Sequence, residues 1–169
     1  MSDVLLIDGD ILVYNTIYAC AEETKLAVVS KTAEALHRNI CTMSGCDKYL
    51  SFLTHSSSNF RIARATTWPY KGNRKHKEKP VWYGDIRDHY LTKQGYQMMR
   101  GVEADDALTI AAEVLVAQGH TVACATKDKD LKQYPWDKFV DLNTDKVYSI
   151  SEAQAHEHLW LQMLIGDKS

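Results

Sequence analysis

Val4-Leu5-Leu6-Ile7-Asp8-Gly9-Asp10 decides the fold. Four consecutive apolar residues without polar alternation predict a strand covered on both faces, as in a parallel sheet between helices. Carboxylates stand where the run stops, and Ile11 to Cys20 then reads as a helix. The pattern returns downstream. Gln97-Met98-Met99-Arg100 is a short strand leading into Val102-Glu103-Ala104-Asp105-Asp106-Ala107-Leu108, and His120 to Ala125 is a buried strand followed by Asp128-Lys129-Asp130. Strands alternating with helices predict an α/β fold with a mainly parallel central sheet flanked by helices. In such sheets ligands bind outside the carboxyl ends of the strands, where these acids fall.

Other segments complete the pattern. Lys25 to Val29 reads as a short edge strand and Thr32 to Met43 as a helix stopped by Gly45. Tyr49 to Thr54 reads as a strand, His55 to Asn59 as a polar turn, and Phe60 to Ala65 as extended chain. Proline, glycine and asparagine in Trp68-Pro69-Tyr70-Lys71-Gly72-Asn73-Arg74-Lys75 argue for a loop. Ile86 to Leu91 adds a helical turn or two inside a mobile segment reaching Gln94. The helix after Glu103 is apolar on nearly every face through Leu108, Ile110, Ala111, Val114 and Leu115, so burial all round is expected, with Gly119 as its stop. Phe139 to Leu142 and Val147-Tyr148 read as short strands, and Ser151 caps a final helix to Leu164.

At 169 residues, 45% hydrophobic and 25% charged, the chain suits one ordinary globular domain over 1–169. Its longest apolar stretch, Leu108 to Ala117, is broken by Glu113 and too short to span a membrane, and Met1-Ser2-Asp3-Val4 does not open a signal peptide. An intracellular, cytoplasmic protein is expected. Cys20, Cys41, Cys46 and Cys124 form no CxxC pair and read as free thiols; Cys41 and Cys46 with His37 or His55 match no common zinc spacing. A net charge of −2 excludes a uniformly basic coat, but charge is segregated. From Arg61 to Lys79 seven basic residues face one acid, Glu78, whereas Asp8, Asp10, Glu103, Asp105, Asp106, Asp128 and Asp130 gather after strands.

Two readings of those acids compete. Carboxylates in a first helical turn answer the helix dipole, at about 0.3–1 kcal/mol each. Like charges so close also repel and resist desolvation, which a bound cation relieves. Three strand ends carrying acids make one metal centre more economical than three separate caps. Clustered carboxylates without histidine or thiolate suit Mg²⁺ or Mn²⁺. Two such ions about 3.5–4 Å apart support in-line displacement at phosphorus. Lys71 and Arg74 are placed to hold the scissile phosphate, with Tyr70 as a stacking face; the bland alternative for this stretch is a solvated basic loop.

Leu6-Ile7-Asp8-Gly9-Asp10, Tyr70-Lys71-Gly72-Asn73-Arg74-Lys75, Val102-Glu103-Ala104-Asp105-Asp106, Thr126-Lys127-Asp128-Lys129-Asp130 and Ile165-Gly166-Asp167-Lys168-Ser169 together resemble the 5′-nuclease family of flap endonucleases and 5′→3′ exonucleases, in its stand-alone bacteriophage form. The resemblance implies a PIN-like fold and metal-dependent cleavage of phosphodiesters near 5′ ends of DNA, on flaps, nicks or RNA primers paired to DNA, during replication in a host cytoplasm. It implies that Asp8, Glu103, Asp105 and Asp106 hold one ion and Asp128, Asp130 and Asp167 a second. Lys71 matches the catalytic lysine, Arg74 its arginine partner, and Tyr70 the stacking aromatic. The stretch to about Gln94 stands where the family has a basic loop or arch over about 71–94, offering Lys75, Lys77, Lys79, Trp82 and Tyr83 to nucleic acid. A monomer without membrane contact is expected.

Two departures accompany the match. Thr54-His55 stands where many members carry an aspartate, leaving His55 as a substitute ligand or a surface residue. The chain stops at Ser169, before the family's next aspartate and its helix-hairpin duplex-binding domain, as a truncated or a naturally short form would. A fragment that binds nucleic-acid ends without efficient cleavage is the alternative function. An aspartyl-phosphate phosphatase built on Asp8 and Asp10 is a further one, but has no use for the Glu103, Asp105, Asp106 trio.

Overall fold

In a computed structural model, residues 3–67 and 78–165 are described. A six-stranded sheet runs in the order β3-β2-β1-β4-β5-β6. Its strands are β1 (Asp3–Asp8), β2 (Lys48–Asn59), β3 (Gln97–Gly101), β4 (Thr121–Thr126), β5 (Lys138–Asp141) and β6 (Lys146–Tyr148). The helices are α1 (Gly9–Tyr18), α2 (Leu26–Ser44), α3 (Phe60–Arg64), α4 (Tyr83–Lys93), α5 (Ala104–Ala117) and α6 (Glu152–Ile165). The expected mainly parallel α/β sheet is therefore present. β1 pairs parallel with β4, β4 with β5 and β2 with β3, and only β6 runs antiparallel, to β5. No helix among the described residues is long and apolar enough to cross a membrane.

The chain forms two compact units, Met1–Ile7 with Asn39–Leu50 and Leu108–Ser169, and Asp8–Arg38 with Ser51–Ala107. In the first, Leu5, Leu6 and Ile7 of β1 are buried beside Val122 to Ala125 of β4, and Trp136 and Phe139 complete the core. In the second, Leu12 and Val13 of α1, Val29 and Ala33 of α2, Leu53 of β2, and Ile86 and Tyr90 of α4 form the core. Gly9 makes close packing here possible. A Cβ on it would lie 2.5 Å from the Phe52 carbonyl oxygen and 3.0 Å from the side chains of Leu53 and Tyr96.

Four local expectations are corrected. Lys25 to Val29 is not a strand: α2 begins at Leu26, because Val29, Ala33, His37 and Ile40 form one buried helical stripe. His55 to Asn59 is not a turn but extends β2, which passes a register shift after Thr54 to pair Asn59 with Gly101. Phe60 to Arg64 is helical rather than extended. Ile86 to Leu91 belongs to an eleven-residue helix anchored by the fully buried Ile86 and Tyr90, not to a mobile segment. Burial of α5 is also one-sided: Ala107, Leu108 and Ala112 face inward, whereas Ile110, Val114 and Val116 are about half exposed. The expected stops hold. Gly45 and Gly119 both have positive φ, and the Ser151 hydroxyl accepts from the Gln154 amide at 3.3 Å while Gln154 accepts from the Ser151 amide at 2.9 Å, a reciprocal cap on α6.

Candidate functional site

The acids of the second unit are organised by Thr54, in β2. Its amide donates to Asp10 Oδ2 at 3.1 Å, its carbonyl accepts from Arg87 Nη2 at 2.7 Å, and its hydroxyl accepts from the Ala104 amide at 2.9 Å. One residue thus ties together the first turn of α1, the middle of α4 and the first residue of α5. Arg87 closes the link by donating from Nη1 to Asp10 Oδ1 at 2.8 Å. Asp8 is 5% exposed at the end of β1 and caps α1 by accepting from the Ile11 amide at 3.2 Å.

At the start of α5, Arg61 from α3 reaches the acidic trio. It grips Asp106 with both arms of its guanidinium, at 2.6 and 2.7 Å, and donates to Glu103 Oε2 at 3.1 Å. Asp106 Oδ2 also accepts from the Glu103 amide at 3.1 Å. Asp105 accepts from the Asp106 amide at 2.8 Å and has no ion-pair partner among the described residues. Burial pushes its carboxyl above the usual aspartate range; the charges of Glu103 and Asp106 add to this, and the Asp106 amide and Arg61 oppose it.

Asp128 and Asp130 lie in the first unit. Asp128 caps the 3₁₀ turn Lys129–Gln133 by accepting from the Asp130 amide at 2.9 Å, and Asp130 accepts from Gln162 Nε2 at 2.6 Å. Asp141, not singled out in the sequence, is buried at the end of β5. It accepts from Lys132 at 3.4 Å, the Tyr148 hydroxyl at 3.2 Å and the Asn143 amide at 2.9 Å. Burial alone would raise its carboxyl; these partners outweigh burial and hold it below the usual range. Asp167, Tyr70, Lys71, Arg74, Lys75 and Lys77 fall outside the described residues. Lys79 is exposed and donates to the Tyr14 hydroxyl at 2.9 Å. Trp82, at φ 67°, directs its indole N–H to the Thr24 carbonyl at 3.1 Å. His37 is buried with Nδ1 2.8 Å from the Tyr96 hydroxyl, and burial lowers its pKa; the Cys41 and Cys46 thiols are pushed up by burial.

In kind, the donors Asp8, Glu103, Asp105 and Asp106 suit a hard divalent ion. In arrangement they do not form a ready cage. Among the described residues no three histidine, cysteine, aspartate or glutamate side chains are grouped to hold a metal ion. Glu103 and Asp106 both face the guanidinium of Arg61. Arg61 was visible in the sequence only as one member of a basic stretch, and Arg87 carried no signal beyond its place beside the apolar Ile86.

No protein-family model matches the sequence, and no curated protein matches it. Solved structures do. A bacteriophage T5 protein co-crystallised with metal ions superposes with a TM-score of 0.74 at 16% identity, covering 98% of this chain and 66% of that one. A bacteriophage T5 flap endonuclease, in a pseudo-enzyme–product complex with DNA and metal ions, gives 0.67 at 17% identity over the same shares, 98% and 66%. A T5 5′-exonuclease with zinc bound gives 0.63 at 17% identity, covering 86% of this chain and 57% of that one. The chain therefore spans just under two-thirds of the first structures it matches, and over nearly all of its own length it has the 5′-nuclease fold.

Proposed function

We propose that this chain is the catalytic portion of a divalent-metal-dependent nuclease that hydrolyses DNA phosphodiesters near 5′ ends, on flaps or nicks. The observation that carries the reading is the acidic trio Glu103, Asp105 and Asp106 at the head of α5, joined through Ala104 and Thr54 to Asp10, in a chain with the 5′-nuclease fold. Asp8, Glu103, Asp105 and Asp106 are the proposed holders of one Mg²⁺ or Mn²⁺ ion, and Asp128, Asp130 and Asp167 of a second. Bound divalent ions supply an activated water and charge neutralisation at phosphorus.

The chain's own contributions are positioning and charge. Thr54 and Arg87 fix Asp10 relative to α5, and Arg61 balances the trio until an ion competes for it. Lys71 and Arg74 are the proposed phosphate holders, and Tyr70, Lys75, Lys77 and Lys79 the proposed strand contacts. Trp82 is a further proposed strand contact, through its ring, while its N–H, bonded to the Thr24 carbonyl, orients the start of α4.

A second reading is favoured by one observation, the absence of a grouped ligand set among the described residues. On that reading the chain binds nucleic-acid ends without cutting them. The two separate in one assay, hydrolysis of a 5′-labelled flap substrate in Mg²⁺ by the wild type and by the double variant Asp105→Asn, Asp106→Asn. Cleavage by the wild type and loss in the variant supports the nuclease. Flap binding without cleavage by either supports the end-binding protein.

A further inference from the structure

The end of α2 carries two cysteines, Cys41 in its last turn and Cys46 just past its close. Gly45, at φ 65°, reverses the chain between them, and its amide donates to the carbonyls of Cys41 at 3.2 Å and Thr42 at 3.3 Å. At a helix end of this kind the residue after the glycine turns back over the last turn, where its side chain meets one from that turn. Here those two residues are Cys46 and Cys41. Buried Ser44 fastens them together: its hydroxyl donates to the Cys41 carbonyl at 2.9 Å and accepts from the Cys46 amide at 3.2 Å. One side-chain oxygen thus joins both backbones.

The Cys46 thiol also has a cation for company. It donates to the Ser44 carbonyl at 3.8 Å, and Lys138 Nζ from β5 donates to the same oxygen at 3.1 Å while reaching Asp3 Oδ2 at 3.5 Å. A thiol and an ammonium therefore share one acceptor, and a cation beside a sulfur favours the thiolate, the form that attacks disulfides. Burial raises both thiols. The charge of Cys46 adds to this at Cys41; at Cys46 the bond to Ser44 and Lys138 oppose it, with Asp3 and Asp47 on the side of burial. Thiols whose charged form is not stabilised overall give disulfides that resist reduction. Both cysteines are reduced and half-buried, within reach of a small reagent.

We propose that Cys41 and Cys46 form a dithiol modification site that closes to an intramolecular disulfide on reaction with a small disulfide such as oxidised glutathione. The Cys46 thiolate attacks one sulfur of the reagent, forming a mixed disulfide and expelling a glutathione thiolate. The Cys41 thiolate then attacks Cys46 Sγ and expels the second glutathione. Two protein thiols are oxidised, one reagent disulfide is reduced to two thiols, and the two protons that leave the cysteines end on the glutathiones. The bridge staples the last turn of α2 to the segment that enters β2. It goes beyond the nuclease reading and does not depend on it.

The test incubates the native protein with oxidised glutathione, blocks the remaining thiols with iodoacetamide and reads tryptic peptides by mass spectrometry. Trypsin cuts after Arg38 and Lys48, so peptide 39–48 holds both cysteines. That peptide is expected to be lighter by two hydrogens and to carry neither alkyl nor glutathione adducts, and dithiothreitol should reverse the change. Cys41→Ser should leave Cys46 as its glutathione adduct. Adding Lys138→Met to Cys41→Ser should slow formation of that adduct roughly three-fold, the net of a smaller thiolate fraction and a more nucleophilic sulfur; an unchanged rate overturns Cys46 as the attacking thiol. Tm of the wild type should rise on oxidation, because a bridge that fits the folded chain restrains the unfolded one. Glutathione adducts or alkylation on both cysteines of the wild type overturn the site. So does a Tm that falls on bridging, which would mean that the helix end must open to form it. A chain that bridges but cuts no flap defeats the nuclease reading alone, and a chain that cuts flaps without bridging defeats this site alone.

Discussion

Replacing Arg61 by methionine keeps much of the aliphatic length of the side chain and removes the guanidinium. In the folded protein that guanidinium makes a two-armed bond to Asp106, at 2.6 and 2.7 Å, and a third contact to Glu103 at 3.1 Å. Removing one partner of a fully buried ion pair costs about 3–5 kcal/mol, whereas an exposed pair contributes less than about 1 kcal/mol. Here the side chains are 31% exposed for Arg61, 24% for Asp106 and 8% for Glu103, which places the pair between those limits. A loss of about 2 kcal/mol follows. In a chain of this length that lowers Tm by roughly 4–8 °C. Thermal melts in EDTA, followed by circular dichroism, measure it. Mn²⁺ should then raise Tm more in the variant than in the wild type, because ligand binding stabilises in proportion to the logarithm of its affinity and the acids no longer have a resident cation to displace. Arg61→Lys should recover only part of the loss, since an ammonium cannot span both oxygens of Asp106. Equal melting of wild type and Arg61→Met in EDTA would refute the claim that this arginine balances the trio.

Asp105→Asn is expected to raise Tm at neutral pH in EDTA while lowering flap cleavage. The Asp105 carboxyl is held above its ordinary range, so its contribution to stability is fully present below the unfolded pKa and is lost as pH rises through the folded one; the amide removes that loss. Asp141→Asn should behave oppositely. The held-down Asp141 carboxylate contributes stability above its unfolded pKa that disappears as pH falls through the lower folded value, so urea midpoints of variant and wild type should differ at neutral pH and converge in acid. Gly9→Ala brings a Cβ to 2.5 Å from the Phe52 carbonyl oxygen, a backbone atom that cannot swing aside. A loss of about 2 kcal/mol in urea denaturation is expected, and a variant as stable as the wild type would mean that α1 shifts freely.

Elements whose signals are local were legible before the structure. The unbroken apolar runs of β1 and β4, the glycines that stop α2 and α5, and the serine that caps α6 are read directly from neighbours in sequence. Where burial is decided by distant partners the reading failed. Val28 and Val29 favour strand by type, yet Val29 packs as the first member of a helical stripe continued by Ala33. The polar run after Thr54 suggested a turn, but β3 supplies a partner that keeps it extended. In α4 only Ile86 and Tyr90 turn inward, too few to reveal the helix among its polar residues. The site divides in the same way. The acids stand together in sequence, whereas Arg61 meets Glu103 across 42 positions and Arg87 meets Asp10 across 77. Neither arginine announces its partner until the chain is folded.

Two of the three bonds at Thr54 belong to its backbone, and only the link to Ala104 uses the hydroxyl. Swapping the side chain therefore leaves Asp10 and Arg87 anchored. A change in strand length disturbs more. Deleting one residue between Lys48 and Leu53 either turns the side chains before the gap to the opposite face of the sheet, taking Phe52 and Leu53 out of the core, or moves Thr54 out of the slot together with the hydroxyl that the Ala104 amide needs. The acidic framework is thus guarded by counting along β2 more than by the chemistry of any one side chain on it, and length variants should disturb it where point substitutions do not.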